Sequence, residues 1–284
     1  MDEQMSDPYI MIKVGDQQEV NLCDQITGLR YLGLDDASSS PQFTNQYQDT
    51  AGTDGSPFAG QTFAKRTYSE KFWLSFGGYE DLVLAKHELY RLFGSRKLVR
   101  VRTDTSPGKV YFGIPTPFDI APMTPGSNNA NFSIPFDVPN GYRYSLYRSD
   151  SLPSVADGWQ FGMNLPEPLP SYHFTSASFN VYNASDIAVD PYYQRHDLKI
   201  SCKFNGNSIK LTNKTNGTSW QYTQSNDGSH TVVLNGINTY LDGILANAKT
   251  DYGTISLEPG WNSFTAEGAG SVDITFSFPF IYLS

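Results

Sequence analysis

The sequence predicts a mainly β protein with a single long helix, and three observations lead to that prediction. Aromatic residues make up 14% of the 284 residues and charged residues only 17%, a composition typical of β-rich domains. Segments in which apolar and polar residues alternate recur along the chain, as in half-buried strands. Only one stretch, from Gly77 to Gly94, has the apolar spacing of a long helix.

The helix is predicted over residues 79–93. Glu80 and Asp81 lie in its first turn, where carboxylates stabilise the positive end of the helix dipole, and Gly94 can end it in the left-handed conformation. Two interpretations stay open: the helix covers one face of a sheet, or part of its two-sided apolar surface, which Lys86 interrupts, packs against a neighbouring copy. Apolar residues recur at offsets of three and four at Tyr79, Leu82, Val83, Leu89, Tyr90 and Phe93.

Strands are predicted on both sides of the helix in the first half of the chain. Gly15-Asp16 separates two apolar runs and is typical of a hairpin turn. Apolar and polar residues alternate over residues 72–76 and 132–136, which predicts strands with one buried face. Residues 35–60, in contrast, are polar and almost without apolar periodicity. We interpret them as a long loop or arm, either mobile or ordered by a partner.

A domain boundary is expected where the chain becomes rich in Pro, Ser and Asp, over residues 149–171. The predicted organisation is a first domain over residues 1–148, a linker over 149–171 and a second domain over 172–284. Each domain is long enough to bury a core of its own.

Closely spaced turn signals run through the second domain, among them Asn205-Gly206 and Asn235-Gly236. Short strands at such spacing indicate a β-sandwich or a barrel. Residues 268–270 are rich in glycine and are predicted to be a hairpin tip, and the alternation over residues 272–278 predicts the strand that follows.

Charge and hydropathy exclude several classes of protein. The net charge of −9 argues against a nucleic-acid or anionic-membrane binder, and no apolar run is long enough to span a bilayer. The start of the sequence, MDEQMSDPY, has no apolar segment of the kind found in signal peptides. Two cysteines, Cys23 and Cys202, exclude a disulfide framework and are compatible with a reduced compartment.

A local basic run follows the helix at Arg96, Lys97, Arg100 and Arg102. We interpret it as a solvated strand face or an ion-pair surface between subunits rather than a phosphate site, because no phosphate-binding motif accompanies it.

No motif in the sequence predicts catalysis. None of the four histidines lies in a recognisable catalytic or metal-binding pattern. Asp190, His196 and Asp197 are close in sequence, but we interpret them as surface residues near the start of a strand. Paired carboxylates of the glycosidase type stay open, because their spacing is spatial rather than sequential. We therefore predict no catalytic residue, no metal site, no cofactor and no enzymatic activity.

Two ordered sets of motifs resemble a known family. The first half contains RTYSEKFWLSFGGYEDLVLAKHELYRLF, from Arg66 to Phe93, followed by RKLVRVRTD, PGKVYFGIP and FSIPFDVPNGYRYS. The second half contains FNVYNASDIAVDPYYQRHDLKISC, from Phe179, followed by NSIKLTNKTNG, VVLNGINTYLDG and LEPGWNSF. No single motif is specific, but their order along nearly the whole chain resembles the distal tail proteins of long-tailed, siphovirus-type bacteriophages of Gram-positive bacteria.

The resemblance implies a fold and a role. It implies an N-terminal β-sandwich with one α-helix that builds a ring, usually a hexamer, and a C-terminal galectin-like β-sandwich outside that ring. Such a ring joins the tail-tube protein to the tail-associated tip protein, with a receptor-binding protein as a further candidate partner, and DNA only passes through its lumen. The implied location is the tail tip of the virion, after synthesis in the host cytoplasm and without membrane contact.

A closed ring requires each subunit to present two different surfaces. Leu82, Leu89 and Phe93 are expected in the subunit's own core, which leaves the helix margin for a neighbour. The acidic segment Asp35–Asp54 is long enough to reach across a subunit boundary and is expected to pair with the arginines after the helix. The predicted interface residues are Tyr79, Val83, Lys86, Tyr90, Arg100 and Arg102.

The alternative function is a carbohydrate-binding module or adhesin that recognises host cell-wall polysaccharide. Sugar sites combine a stacking aromatic side chain with polar groups on a sandwich face. Ordinary packing between strands is the competing interpretation of the same aromatic residues. The candidate residues are Trp220, Tyr222, Tyr240 and Trp261.

Overall fold

The computed structural model describes residues 8–34, 40–52, 54–153 and 160–284. These residues form antiparallel sheets with one long helix, which confirms the predicted mainly β class. The chain divides into two compact units, residues 1–143 with 283–284 and residues 144–282. Residues 160–171 of the predicted linker lie in the second unit, and residues 154–159 lie outside the described residues. The predicted domain limits stay predictions.

The first unit contains one antiparallel sheet and one separate hairpin. Its elements are β1 (Ile10–Val14), β2 (Val20–Asn21), α1 (Leu22–Gln25), β3 (Leu29–Leu34), β4 (Phe43–Tyr47), β5 (Phe58–Phe63), β6 (Arg66–Ser75), α2 (Tyr79–Phe93), β7 (Val99–Thr103), β8 (Ser106–Pro115) and β9 (Asn129–Val138). The sheet order is β2-β1-β7-β8-β9-β6-β3, whereas β4 and β5 pair with each other. The opening hairpin predicted around Gly15-Asp16 is confirmed by the pairing of β1 with β2.

Strand β6 shows why alternation in the sequence predicts a half-buried strand. Every second side chain from Arg66 to Leu74 is buried, and the intervening ones are not. Phe72 stacks on Phe132 of the neighbouring strand β9, with 5.6 Å between the ring centroids. The strands predicted from this alternation are confirmed. The buried row also contains two charged side chains, those of Arg66 and Glu70.

Helix α2 begins and ends at the predicted residues. It buries Leu82, Leu89 and Phe93, and the Phe93 ring packs edge-on against Phe136 of β9 at 5.6 Å. The prediction that the helix covers a sheet face is therefore confirmed.

The end of α2 differs from the expected one. Gly94 has a φ of −76° rather than a left-handed conformation, and its N–H donates to the Tyr90 carbonyl at 2.8 Å. A Cβ at this position would lie 2.7 Å from that carbonyl oxygen. The close approach of the backbone, not a positive φ, favours glycine here.

A β-hairpin occupies much of the segment predicted to be a loop or arm. Strands β4 and β5 pair in register, with Phe43 opposite Phe63 and Tyr47 opposite Phe58. The interpretation of residues 35–60 as a long loop is therefore wrong for the described part, and their interpretation as an arm stays a prediction. Residues 35–39 and 53 lie outside the described residues. Cross-strand pairs are the unit of sheet stabilisation, and a search for periodicity along one strand does not detect them.

In residues 144–153 and 160–282, the second unit consists of strands, turns and short 3₁₀ turns at Ser149–Ser151 and Asn247–Lys249. Strand β10 pairs with β20, and the remaining strands form a second antiparallel sheet. The strands are β10 (Arg143–Arg148), β11 (His173–Phe174), β12 (Ser178–Asn183), β13 (Lys199–Asn213), β14 (Ser219–Tyr222), β15 (Asn226–Asp227), β16 (Val232–Asn235), β17 (Asn238–Leu241), β18 (Ile244–Leu245), β19 (Gly260–Ser277) and β20 (Pro279–Tyr282).

Two long strands, β13 and β19, organise this unit. They pair along most of their length, with a shift of register on either side of Gly206. The turn predicted at Asn205-Gly206 and the hairpin tip predicted at residues 268–270 are wrong, because both segments lie inside these strands. A Cβ on Gly206 would lie 2.7 Å from the carbonyl oxygen of Gly268. Glycine here permits the close approach of two backbones at a bulge.

The bulge divides both long strands between two packed layers. One part of β19 pairs with β12 and the other with β11. Phe264 and Phe276, on the two parts of β19, contact each other at 5.1 Å. Trp220 of β14 donates its indole N–H to Thr239 Oγ1 of β17 at 3.0 Å. The turn predicted at Asn235-Gly236 is confirmed, since it joins β16 to β17.

Candidate subunit interface

Four of the predicted interface residues line one groove beside helix α2. Tyr79 is 75% exposed, Val83 46% and Tyr90 40%, so the described residues leave the apolar margin of the helix uncovered. These three side chains and Lys86 border a groove of about 440 Å³ whose opposite wall is residues 119–122. The sequence therefore predicted a set of residues that the fold does bring together.

The groove wall is tied to the helix by polar contacts. Lys86 Nζ lies 3.2 Å from Asp119 Oδ1. The hydrogen bond from Lys86, followed by that from the backbone N–H of Ile120, lowers the pKa of Asp119. Tyr90 donates its hydroxyl to the Phe118 carbonyl at 3.4 Å, and the two rings lie 5.3 Å apart. Lys86, which interrupts the apolar stripe of the helix, therefore contacts the opposite wall of the groove.

Arg100 and Arg102 lie elsewhere, on β7, and do not line the groove. Both donate to the carboxylate of Glu19, over 3.0 Å and 2.9 Å. Burial raises the pKa of Glu19, but the hydrogen bonds and charges of Arg102 and Arg100 outweigh burial, and the net shift is downward. The acidic segment 35–54 was expected to supply the partner; in the described residues the partner is Glu19. A role for these arginines between subunits stays a prediction.

A second apolar surface, on the β4–β5 hairpin, was missed as a specific site. Phe43, Tyr47 and Phe58 are 47%, 59% and 62% exposed. Ring centroids are 5.1 Å apart for Phe43 and Phe63 and 6.1 Å for Tyr47 and Phe58, so the aromatic side chains share one face of the hairpin. The aromatic residues in the polar segment 35–60 were the one sequence feature that could have indicated this surface.

The predicted sugar-binding residues do not form one site. Trp220 and Tyr222 are buried in the core of the second unit, and the sugar-binding prediction for these two is wrong because their side chains cannot reach a ligand. Tyr240 is half-buried. Trp261 is 57% exposed and contacts Tyr182 on the neighbouring strand, a residue that the sequence did not single out.

Asp190, His196 and Asp197 contact their own chain and do not form a cluster of catalytic groups. Asp190 Oδ1 accepts the backbone N–H groups of Tyr192 and Tyr193 at 2.9 Å and 3.1 Å. Burial lowers the pKa of His196, and Asp197 pairs with Arg148. These contacts shape a turn and a strand end and bring no acid–base pair together.

Within residues 8–34, 40–52, 54–153 and 160–284, no cluster of three or more His, Cys, Asp or Glu side chains could hold a metal ion. Helix α2 and the short α1 are both too short and too polar to cross a membrane, and no other helix of the described chain qualifies.

One family model matches a segment of the first unit. Residues 19–138 match the family model described as the phage tail protein RIFT-related domain. No protein of the curated set matches the sequence of this chain.

Solved structures extend the likeness to both units. The chain is similar in fold to the SPP1 Dit (gp 19.1) protein, described as a paradigm of the hub adsorption apparatus in phages that infect Gram-positive bacteria. The TM-score is 0.67 at 12% identity, over 95% of this chain and 99% of that one. The phage p2 baseplate in its activated conformation, with Ca or with Sr, matches at a TM-score of 0.46 and 11% identity, over 96% of this chain and 98% of that one. The family-model match and the fold shared with SPP1 Dit confirm the resemblance to phage distal tail proteins, and at 12% identity the structural likeness concerns the fold alone.

Proposed function

We propose that this protein is a structural hub at the tip of a phage tail, where it forms a ring that joins the tail tube to the tip and host-adhesion proteins. The match of residues 19–138 to a phage tail domain carries the proposal, and the fold shared with SPP1 Dit along 95% of the chain supports it. The hub acts by assembly and needs no catalytic residue.

The β4–β5 hairpin supports ring formation on physical grounds. A two-stranded hairpin is marginally stable in water by itself, and this one exposes the rings of Phe43, Tyr47 and Phe58. Contiguous exposed aromatic surface is typical of a protein interface. A second copy of the chain covering this face would stabilise the hairpin and remove the rings from water.

The hairpin and the helix groove are two different surfaces on one subunit, as a closed ring requires. In the proposed ring, the aromatic face of the hairpin packs into the groove bordered by Tyr79, Val83 and Tyr90 of the next subunit. Each ring position is then identical, and a hexamer is the expected closure. A net charge of −9 suits a lumen through which DNA passes without binding.

Light scattering after size exclusion, with negative-stain images, tests the proposal. The natural chain is expected to form closed rings, alone or with tail-tube and tip proteins. The double variant Tyr47→Ser, Phe58→Ser is expected to shift the population to monomers. The matched control Ile244→Ser, Leu245→Ser removes two exposed apolar side chains, 75% and 60% exposed, from the second unit and is expected to leave the rings intact.

Two outcomes would count against the proposal in different ways. A natural chain that stays monomeric at high concentration and with its tail partners present contradicts the ring itself. Rings that form equally well from the hairpin double variant contradict only the role of the hairpin. Circular dichroism of each variant shows whether the fold is intact.

A further inference from the structure

The outer face of strands β12 and β19 carries an exposed tryptophan on an otherwise polar surface. Trp261 lies directly opposite Tyr182 in the antiparallel register, with ring centroids 4.9 Å apart and planes at 60°. The Tyr182 hydroxyl donates to the Asn164 carbonyl at 2.8 Å, which fixes its orientation. Trp261 is therefore supported on one side and open to solvent on its own face.

The backbone on both sides of Trp261 is held by the buried side chain of Asn262. Its Oδ1 accepts the backbone N–H of Glu258 at 2.9 Å and the Asn213 amide at 3.0 Å. Its Nδ2 donates to the carbonyls of Glu258 and Gly260 at 2.8 Å and 3.1 Å. This network fixes the strand end, so that the Trp261 platform is formed before any ligand binds, and preorganisation lowers the entropic cost of binding.

Polar side chains continue from Trp261 along the same face. The next register pair on this face, two residues along each strand, is Asn180 with Ser263, both exposed, and the Lys214 N–H donates to the Ser263 carbonyl at 2.7 Å. Within the described residues, the side chains of Asn180, Ser263 and Lys214 make no hydrogen bond. Two residues along a strand span about 7 Å, so the side chains of Asn180 and Ser263 flank the Tyr182–Trp261 pair at the distance of a neighbouring unit of an extended ligand.

We propose that this face, with Trp261 as the platform, is a binding site for an uncharged glycan. A pyranose ring presents apolar C–H groups on its face and hydroxyls at its edge. The indole of Trp261 can stack on the C–H face of the sugar ring. Asn180, Ser263 and Lys214 supply hydrogen-bond donors and acceptors for the sugar hydroxyls. The arrangement is typical of ligand sites in which an aromatic surface is combined with a few placed polar groups.

Two other ligand classes fit this face less well. A polyanion is disfavoured, because the chain has a net charge of −9 and Lys210 on this face lies opposite Glu267. The core of a protein–protein interface gathers several apolar anchors and few charges. On this face the aromatic pair Tyr182 and Trp261 is followed by hydroxyl, amide and charged side chains only.

A glycan array bearing neutral and charged oligosaccharides tests the site, using the full chain in the assembly state that it adopts. Neutral glycans are expected to bind, and titration calorimetry with the strongest soluble one measures the affinity. Trp261→Ala is expected to lower the affinity roughly tenfold or more, the loss typical of truncating an aromatic anchor. Trp261→Phe, which keeps an aromatic face, is expected to retain most of it.

The control is Tyr193→Ala, which removes an aromatic side chain that is 79% exposed in another loop of the same unit, and binding should not change. Near-ultraviolet circular dichroism checks the fold of every variant. The proposal is overturned if no neutral glycan binds, if binding is the same in Trp261→Ala as in the natural chain, or if only charged glycans bind. It is also overturned, in favour of a protein partner, if Trp261→Ala releases a tail protein from the assembly while glycan binding persists.

Discussion

At the scale of single residues, the chain places charged side chains where they are costly unless paired. Arg100, Arg102 and Glu19 form one such group, and the Nε atoms of both arginines are buried without a hydrogen-bond partner in the described residues. The two guanidinium groups therefore depend on a single carboxylate. Removing one partner of a buried pair leaves an uncompensated charge, which costs more than the pair contributed.

We expect Glu19→Gln to lower the free energy of unfolding by about 2 kcal/mol at neutral pH, because hydrogen bonds to charged groups are lost. The folded pKa of Glu19 is below its ordinary value of 4.5. The stability it contributes is therefore present above pH 4.5 and is lost as pH falls through the folded pKa. Urea unfolding of the natural chain and the variant between pH 7 and pH 3 measures the difference, which should shrink with acidification.

The matched control is Glu88→Gln, which breaks an exposed pair with Arg91 on the surface of α2. Exposed pairs contribute little, so this variant should unfold like the natural chain. Equal stabilities for Glu19→Gln and Glu88→Gln would contradict the assignment of Glu19 as the anchor of both arginines.

Glu70 is a second buried carboxylate with a defined set of partners. It accepts the hydroxyls of Tyr31 at 2.6 Å and Tyr111 at 2.7 Å. Burial raises the pKa of Glu70, although these two hydrogen bonds and the charge of Arg143 oppose the shift. Arg143 also lies over the Tyr68 ring at 4.8 Å, so the cluster is a connected polar network inside the sheet.

We expect Glu70→Gln to destabilise the first unit by about 1 to 3 kcal/mol, because one tyrosine hydroxyl loses its acceptor. The folded pKa lies above the ordinary value of 4.5. Glu70 therefore contributes most below pH 4.5, and its contribution falls as pH rises through the folded pKa. Unfolding measured between pH 4 and pH 8 should show this decline in the natural chain and not in the variant. A decline of the same size in Glu70→Gln would contradict the assignment.

At the scale of the element, helix α2 has two apolar sides that differ in how far they are buried. Leu89 is fully buried against the sheet, whereas Val83 on the groove margin is 46% exposed. Leu89 is therefore expected to affect folding, and Val83 is expected to affect the proposed assembly.

We expect Leu89→Ala to cost about 2 to 5 kcal/mol of unfolding free energy, because it leaves a cavity in the core. Val83→Ala should change unfolding by about 0.5 kcal/mol or less, whereas Val83→Glu should weaken the ring by placing a charge in the groove. Thermal unfolding and light scattering separate the two effects. A Val83→Glu variant that assembles as well as the natural chain would place the interface away from this groove.

At the scale of the whole molecule, the proposed interface is aromatic rather than ionic. Arg100 and Arg102 already pair with Glu19 of their own chain. The β4–β5 hairpin, in contrast, exposes the aromatic rings of Phe43, Tyr47 and Phe58. Ionic contacts at a surface weaken as salt screens them, while burial of apolar surface does not.

We therefore expect the rings to persist at about 1 M sodium chloride, where the Debye length is about 3 Å. Light scattering across a salt series measures this. Dissociation with rising salt would instead support ion pairs between subunits, as the basic run in the sequence suggested, and Arg100→Glu combined with Arg102→Glu should then weaken the ring most at low salt.

The sequence by itself determined the features that depend on local order along the chain. Helix α2 was predicted to the residue, because apolar spacing, acidic first turn and terminal glycine all lie within one continuous segment. The alternating strands were predicted for the same reason. The ordered motifs also indicated the phage tail family, and the groove residues Tyr79, Val83, Lys86 and Tyr90 follow from the helical period.

Only the tertiary structure decided which residues meet across the fold. Trp220 and Trp261 look alike in sequence, yet one lies in the core and the other on a face, because strand pairing sets which side of a sheet is covered. Glu19 and Arg100 are far apart in sequence. They meet because β1 pairs with β2 on one side and with β7 on the other, so that Glu19, just before β2, lies within reach of the long Arg100 side chain on β7. Gly206 and Gly268 read as turns but form a bulge, since a glycine signals backbone freedom and not whether a second strand lies beside it.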